Sequence, residues 1–241
     1  MKSVESEIEE IIQDHIKAPE RYIVGYSFLG GLLPKEYESL QYGITVGMRL
    51  DDAIIDRITD GPTREYVNLY HEANSLLDRM GKEIQDAMLK SGSKAVLIKS
   101  TLSDEEIDEL PEYEEVLAVD FPHKTAATRS GLGWIGKTAL FVSKEHGPRL
   151  RLVTVLTDKE LAVGEPVEES LCGDCDICVK KCPAQAASGR QWTAGMKREH
   201  FFDAFSCRRT ANALAKKRVG VGDSICGICV AVCPFGKKDK V

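Results

Sequence analysis

The chain has 241 residues, 43% apolar and 29% charged, with a formal net charge of −6, which is enough for one large domain with its own core plus a small one. Its acidic opening, MKSVESEIEE, lacks the basic-then-apolar pattern of a secretory signal, and no apolar run approaches the ~20 residues that span a bilayer. These features argue against a minimal ferredoxin, a secreted disulfide scaffold and a membrane-spanning chain, and point to the cytoplasm.

Taken in chain order, Ile8, Ile11, Ile12 and Ile16 recur at helical spacing and predict an opening helix. RYIVGYSFL (21–29) and YGITVGMRL (42–50) are rich in β-branched and aromatic residues and read as strands. Residues 63–90 form the longest helical pattern, with Tyr66, Leu69, Leu76, Leu77 and Met80 on one apolar face. KAVLIKS (94–100) is a further strand, the acidic run DEEIDELPEYEE (104–115) reads as a solvated loop or short helix, and EVLAVD (115–120) as another strand. HKTAATRS (123–130) favours a helix that ends at Gly131 as its cap. TALFVSKE (138–145) and RLRLVTVLTD (149–158) supply more strands, and the aperiodic KELAVGEPVEES (159–170) reads as a linker. Helices mixed with strands that do not strictly alternate predict an α+β layered domain.

All eight cysteines lie beyond residue 171, and in a reducing compartment such clustering signals metal ligands rather than disulfides. Charge divides at the same place. Residues 172–241 carry 13 Lys or Arg against 6 Asp or Glu, a net +7, which leaves −13 on residues 1–171. A basic segment suits an anionic cluster with four thiolates, and also an acidic partner of the stretch RRTANALAKKR (208–218).

CGDCDICVKKCP places Cys172, Cys175, Cys178 and Cys182 before Pro183, the complete bacterial ferredoxin run. DSICGICVAVCP repeats it with Asp223 in the first position, leaving Cys226, Cys229 and Cys233. In such runs the cysteine before proline ligates the other cluster. That crossover gives one 4Fe-4S cluster Cys172, Cys175, Cys178 and Cys233, and the other Cys182, Cys226 and Cys229. Cys207 is the unused thiol and completes the second set. Asp223 is the weaker substitute, since soft thiolate suits iron-sulfur chemistry better than carboxylate. Zinc also uses paired cysteines, but the third cysteine and the Cys-Pro closures in both runs favour two 4Fe-4S clusters.

Clusters carry electrons without choosing a substrate. The other motif is GLGWIGK, in which Gly131, Gly136 and Lys137, with Thr138 directly after it, match the spacing of a phosphate loop. That loop needs a strand before it and a helix after it, and the order here is inverted. Gly131, Leu132, Gly133 and Gly136 would instead let backbone approach a large planar cofactor, with Trp134 as an apolar face and Lys137 meeting an anionic group. A tight turn and ordinary core are the plain alternatives for the glycines and for Trp134.

The GLGWIGK loop, the VD at 119–120, the TD at 157–158, the complete cysteine run and the shortened run with its remote cysteine together resemble epoxyqueuosine reductase, a cobalamin-dependent iron-sulfur family related in design to reductive dehalogenases. The resemblance is specific over about residues 115–235. It implies an N-terminal α/β domain (1–162) that binds corrinoid and substrate, followed by a ferredoxin-like domain (163–241) whose two 4Fe-4S clusters pass electrons to cobalt. Asp120 takes the place of the family's proton donor, a role that needs a carboxyl with a raised pKa. His123 and Lys124 stand where the family carries a glutamate, and are candidates for proton donation or for holding an anionic substrate. No D-x-H-x-x-G element is present, so cobalamin would be held without a histidine on cobalt. A low-potential donor such as ferredoxin or flavodoxin, and a small-molecule or modified-nucleoside substrate, follow from the same resemblance. Transfer RNA is the less favoured substrate, because the family's helical-repeat extension is lacking after Pro234 and the chain is acidic. An electron carrier or reductive activator without cobalamin is the alternative function.

Overall fold

The computed structural model describes residues 3–110, 112–119 and 121–237. Asp120 therefore lies outside the described residues. In chain order the elements are α1 (Val4–His15), β1 (Tyr22–Phe28), β2 (Tyr42–Arg49), α2 (Asp52–Ile55), α3 (Arg64–Lys90), β3 (Ala95–Ile98), α4 (Asp104–Asp108), α5 (Tyr113–Val116), α6 (His123–Arg129), β4 (Gly133–Ile135), β5 (Phe141–Ser143), β6 (Leu150–Thr157), α7 (Ile177–Lys180), α8 (Ala204–Val219) and α9 (Ile228–Val232). No helix among the described residues is long and apolar enough to cross a membrane.

The chain divides into two compact units, each assembled from separate stretches. The first holds residues 1–49, 72–132 and 151–166, and the second holds 50–71, 133–150 and 167–241.

The first unit is built on a four-stranded sheet in the order β1-β2-β6-β3. β1 and β2 run antiparallel with Tyr22 opposite Met48, and β3 runs antiparallel to β6 with Ala95 opposite Thr157. Strand alternation assigns the two faces. Gly81 of α3 lies so close to the sheet that an added Cβ would stand 2.6 Å from Leu97 and 3.0 Å from Val153, so α3 covers their face. On the other face α6 packs against β1 and β2, and Ala126 meets Gly43. Leu29, Leu40, Phe121, Ala126 and Leu156 form a buried cluster in this unit. Ile8 and Ile12 of α1 and Leu77, Met80, Ile84 and Met88 of α3 are buried to the last few per cent, as their helical spacing predicts. Leu69 and Leu76 border that face and are only half-buried.

One predicted strand is corrected. EVLAVD is not a strand over residues 115–119: α5 ends at Val116, and Leu117 turns the chain with a left-handed φ of +48°. The segment has no alternating pattern, adjacent glutamates precede it, and Val116 and Val119 stay more than a third exposed, so no sheet face required it. The acidic run before it forms the short helices α4 and α5; α4 begins in a capping box made by Ser103 and Glu106.

In the second unit β4 and β5 pair as a small hairpin, Gly133 opposite Ser143, and α7 packs against α9. Arg149, only 1% exposed, binds Asp52 (2.9 Å) and Asp56 (2.7 Å) on either end of α2 and donates to the Ala231 carbonyl of α9 at 3.2 Å. The two carboxylates and the carbonyl match the charge and the terminal NH1 and NH2 donors of this buried guanidinium, while its Nε has no hydrogen-bond partner among the described residues.

Candidate functional site

All eight cysteines are free thiols, and Cys233 is buried. Their environments sort them into two sets. Burial raises the Cys178 thiol, and the nearby charges of Cys172 and Cys175 raise it further. Cys233, from the other run, is pushed up to about 11 by burial and then by Cys178, Cys172 and Cys175. Cys207 is likewise pushed up to about 11 by burial, then by Cys182 and Cys226. Burial raises Cys226, with Cys182 adding to it, and raises Cys229, with Cys226 and Cys207 as its strongest neighbours. One quartet is thus Cys172, Cys175, Cys178 and Cys233, and the other is Cys182, Cys207, Cys226 and Cys229. These are the groups of neighbouring thiols that the crossed pairing of the two runs would use. Cys178 of α7 also acts on Cys229 of α9, so the two sets adjoin where those helices pack.

Local structure explains the convergence. The Asp203 N–H donates to Ala186 O (2.7 Å) and the Ser188 N–H to Phe201 O (2.9 Å), which fastens the start of α8 beside the chain leaving Cys182. Asp203 caps α8 by accepting from the Ser206 N–H at 2.9 Å, and Cys207 follows in the first turns. Ser224 donates to Asn212 of α8 at 2.5 Å, holding the second run against the same helix. Asp223, which occupies the missing cysteine's place, pairs with His71 Nε2 at 3.4 Å. Backbone N–H groups of Val179, Ile228 and Phe235 are directed at the sulfurs of Cys178, Cys226 and Cys233, a cradle that favours thiolate. Among the described residues no three His, Cys, Asp or Glu side chains close around a single ion; four thiolates that each take a separate iron stand farther apart than the ligands of one ion. The donor set fits two 4Fe-4S clusters in number, chemistry and grouping.

The glycine loop follows α6 as predicted. Gly131 sits just past the helix at φ +77°, and a Cβ there would stand 2.6 Å from Glu165 O. Gly133 opens β4, where a Cβ would stand 2.1 Å from Val142 O, and Gly136 faces Val142 and Cys172. Its close approaches are made by the chain itself. Trp134 and Lys137 are buried, and Leu132 is half-buried. A hairpin, not a helix, follows the loop, so no helix N-terminus faces a phosphate.

His123 opens α6 and lines a cavity of about 390 Å³ at the β3 edge of the sheet. Tyr37, Leu102, Ile107, Leu110 and Tyr113 supply apolar and aromatic wall, and Val119 and Phe121, the neighbours of Asp120, complete it. Lys99 and Glu106 form an ion pair at 2.5 Å in its lining. The His123 Nε2–H donates to Lys99 O at 2.7 Å, which leaves Nδ1 to accept from the Thr154 hydroxyl at 3.0 Å. Thr45 adjoins Thr154 at 3.5 Å. Burial, seconded by the positive charge of Arg151 and opposed by the Lys99 carbonyl, lowers the His123 pKa to about 4. The ring is therefore neutral near pH 7 and fully engaged. Lys124 is half-buried beside it.

Arg149, Arg151, Lys99 and Thr154 did not stand out as site residues in the sequence. The available signal was the pair of arginines in RLRLVTVLTD, where charge in an apolar strand announces buried partners.

Size bears on what the cavity can hold. A volume of about 390 Å³ suits a small organic molecule. A corrinoid is far larger, and the glycine loop's close approaches are filled by Glu165, Val142 and Cys172. Neither feature alone is a corrinoid cradle.

Fold and thiols together define a double-cluster iron-sulfur protein with an attached α/β unit. Residues 171–236 match the 4Fe-4S double cluster binding domain. The chain is similar to the epoxyqueuosine reductase of Lactococcus garvieae, 30% identical over 154 residues that cover 54% of this chain and 40% of that protein. It shares its fold with a reductive dehalogenase described as suggesting a mechanism for B12-dependent dehalogenation: TM-score 0.63, 15% identity, 91% of this chain and 30% of that one. It also shares it with an epoxyqueuosine reductase solved with an epoxyqueuosine-modified tRNA stem loop: TM-score 0.54, 16% identity, 97% of this chain and 66% of that one. The chain spans less than half the length of the curated relatives it matches.

Proposed function

We propose that the protein is a cobalamin-dependent iron-sulfur reductase whose two 4Fe-4S clusters take electrons singly from a low-potential donor, such as a ferredoxin or flavodoxin, in a reducing cytoplasm. The observation that carries this reading is the sorting of eight thiols into two interlocked quartets in a chain that also folds an α/β unit with its own cavity. In this scheme residues 163–241 conduct electrons and residues 1–162 bind corrinoid and substrate. A bound corrinoid would supply a metal centre able to deliver electrons to carbon. Gly131, Leu132, Gly133, Trp134, Gly136 and Lys137 are its proposed contacts, with the half-buried Gly131 and Leu132 the most accessible.

The cavity would hold the substrate, a small molecule or the base of a modified nucleoside, against Tyr37, Tyr113 and Phe121. Asp120, bracketed in sequence by two residues of the cavity wall, would donate the proton. His123, neutral and bonded on both nitrogens, would hold the start of α6 and the Lys99 carbonyl in place. Lys124 would hold an anionic substrate group. Intact transfer RNA is the less favoured substrate, although one relative was solved with a modified tRNA stem loop. The exposed Lys216, Lys217 and Arg218 at the end of α8 would meet an acidic electron donor.

The test is anaerobic reconstitution, iron and sulfide counting, and a cobalamin titration followed by absorbance. About eight irons with a cobalt spectral shift are expected. The full iron complement without any shift would replace the reductase with an electron carrier.

A further inference from the structure

Trp134 is 3% exposed on β4. Its Nε1–H donates to Cys172 Sγ at 3.3 Å, and its ring meets Phe235 edge-on, with centroids 5.1 Å apart and planes at 83°. Phe235 directly follows Cys233-Pro234. The indole therefore touches one ligand of the first quartet and the closure that carries another. A buried indole N–H needs an acceptor, and here that acceptor is a thiol sulfur. The strand holding it is paired residue by residue with Phe141–Ser143, which limits its freedom to turn away.

We propose that Trp134 is a positioning residue for the cluster held by Cys172, Cys175, Cys178 and Cys233, and that its N–H raises that cluster's reduction potential. The inference rests on the two-cluster reading. A cluster gains one negative charge when it accepts an electron, and part of that charge falls on its sulfur ligands. A donor N–H aimed at such a sulfur stabilises the reduced form more than the oxidised one. The electron comes from the external low-potential donor, and no bond is made or broken in the protein. The indole has one N–H and donates it to Cys172, not to Cys182, Cys207, Cys226 or Cys229 of the second quartet, so the two clusters acquire different potentials and fill in a set order.

Trp134→Phe keeps an aromatic ring against Phe235 and removes the N–H. With about eight irons retained, a redox titration followed by electron paramagnetic resonance should show one midpoint lowered and the other unmoved. At a fixed ambient potential the reduced-to-oxidised ratio of the affected cluster should fall about tenfold, which is about 59 mV for one electron. Two unmoved midpoints at full iron content would overturn the proposal, whereas a wild-type protein lacking this iron complement would overturn the two-cluster reading instead. Should the variant lose iron, the contact can be read in protein that keeps Trp134. The chain has two tryptophans, so Trp192→Phe leaves Trp134 as the sole ¹⁵N-indole label. A ¹⁵N coupling on the reduced-cluster signal is expected, and its absence overturns the proposal.

Discussion

His123 offers a direct test of how the cavity wall handles protons. Its ring lies between the Lys99 carbonyl and the Thr154 hydroxyl, at 2.7 and 3.0 Å, and burial beside Arg151 brings its pKa to about 4. The unfolded chain has an ordinary histidine near pKa 6.5. Between those values the unfolded state binds a proton that the folded state refuses, so stability contributed by neutral His123 is complete above about pH 6.5 and is lost as pH falls toward 4. At 1.36 kcal/mol per pH unit the gap corresponds to about 3 kcal/mol, an upper bound because the residue as a whole is only half-buried at a cavity that admits water. Nitrogen-resolved NMR of the five histidines, with His123→Gln to assign the signal, should find His123 neutral with the proton on Nε2 down to about pH 4. Urea titrations should show the variant losing the wild type's stability slope across that window. A His123 that titrates near 6.5 would refute the reasoning and restore it as a proton donor at neutral pH.

Further outcomes follow from the second unit. Arg149→Met should cost about 3 kcal/mol in urea unfolding, because it removes the buried guanidinium that bridges Asp52, Asp56 and the Ala231 carbonyl, at the lower end of the range for breaking a buried pair since both carboxylates are a third exposed. Gly133→Ala should prevent the β4–β5 hairpin from closing and abolish recovery of folded, cluster-loaded protein, because its Cβ would sit 2.1 Å from a backbone oxygen that cannot move without breaking the hairpin; folded protein with full iron content would contradict this.

The legible parts of the fold were those encoded by local spacing. α3 emerged within one residue of its predicted start, because Tyr66, Leu77 and Met80 repeat a helical period over 27 residues. The cysteine runs were equally plain, and Cys207 was proposed by arithmetic, since two clusters demand one more thiol than the runs contain. The pairing of EVLAVD with a sheet was misread because apolar content in a short segment does not say whether a strand edge is available to it. The partners of Trp134 and His123 were hidden for a different reason. Cys172 is 38 residues from Trp134, and Thr154 is 31 from His123; only the folded chain joins them. GLGWIGK displayed its glycines, but not that Glu165 and Val142 would fill the space beside them.

The crossed ligation is tested most directly by counting iron and acid-labile sulfide after Cys207→Ala and, separately, after Cys182→Ala. Each variant should fall from about eight irons to about four and lose the same electron paramagnetic resonance signal, although the two residues lie 25 positions apart and Cys182 shares its run with ligands of the other cluster. A full iron complement in Cys207→Ala, or loss of different signals in the two variants, would contradict the assignment.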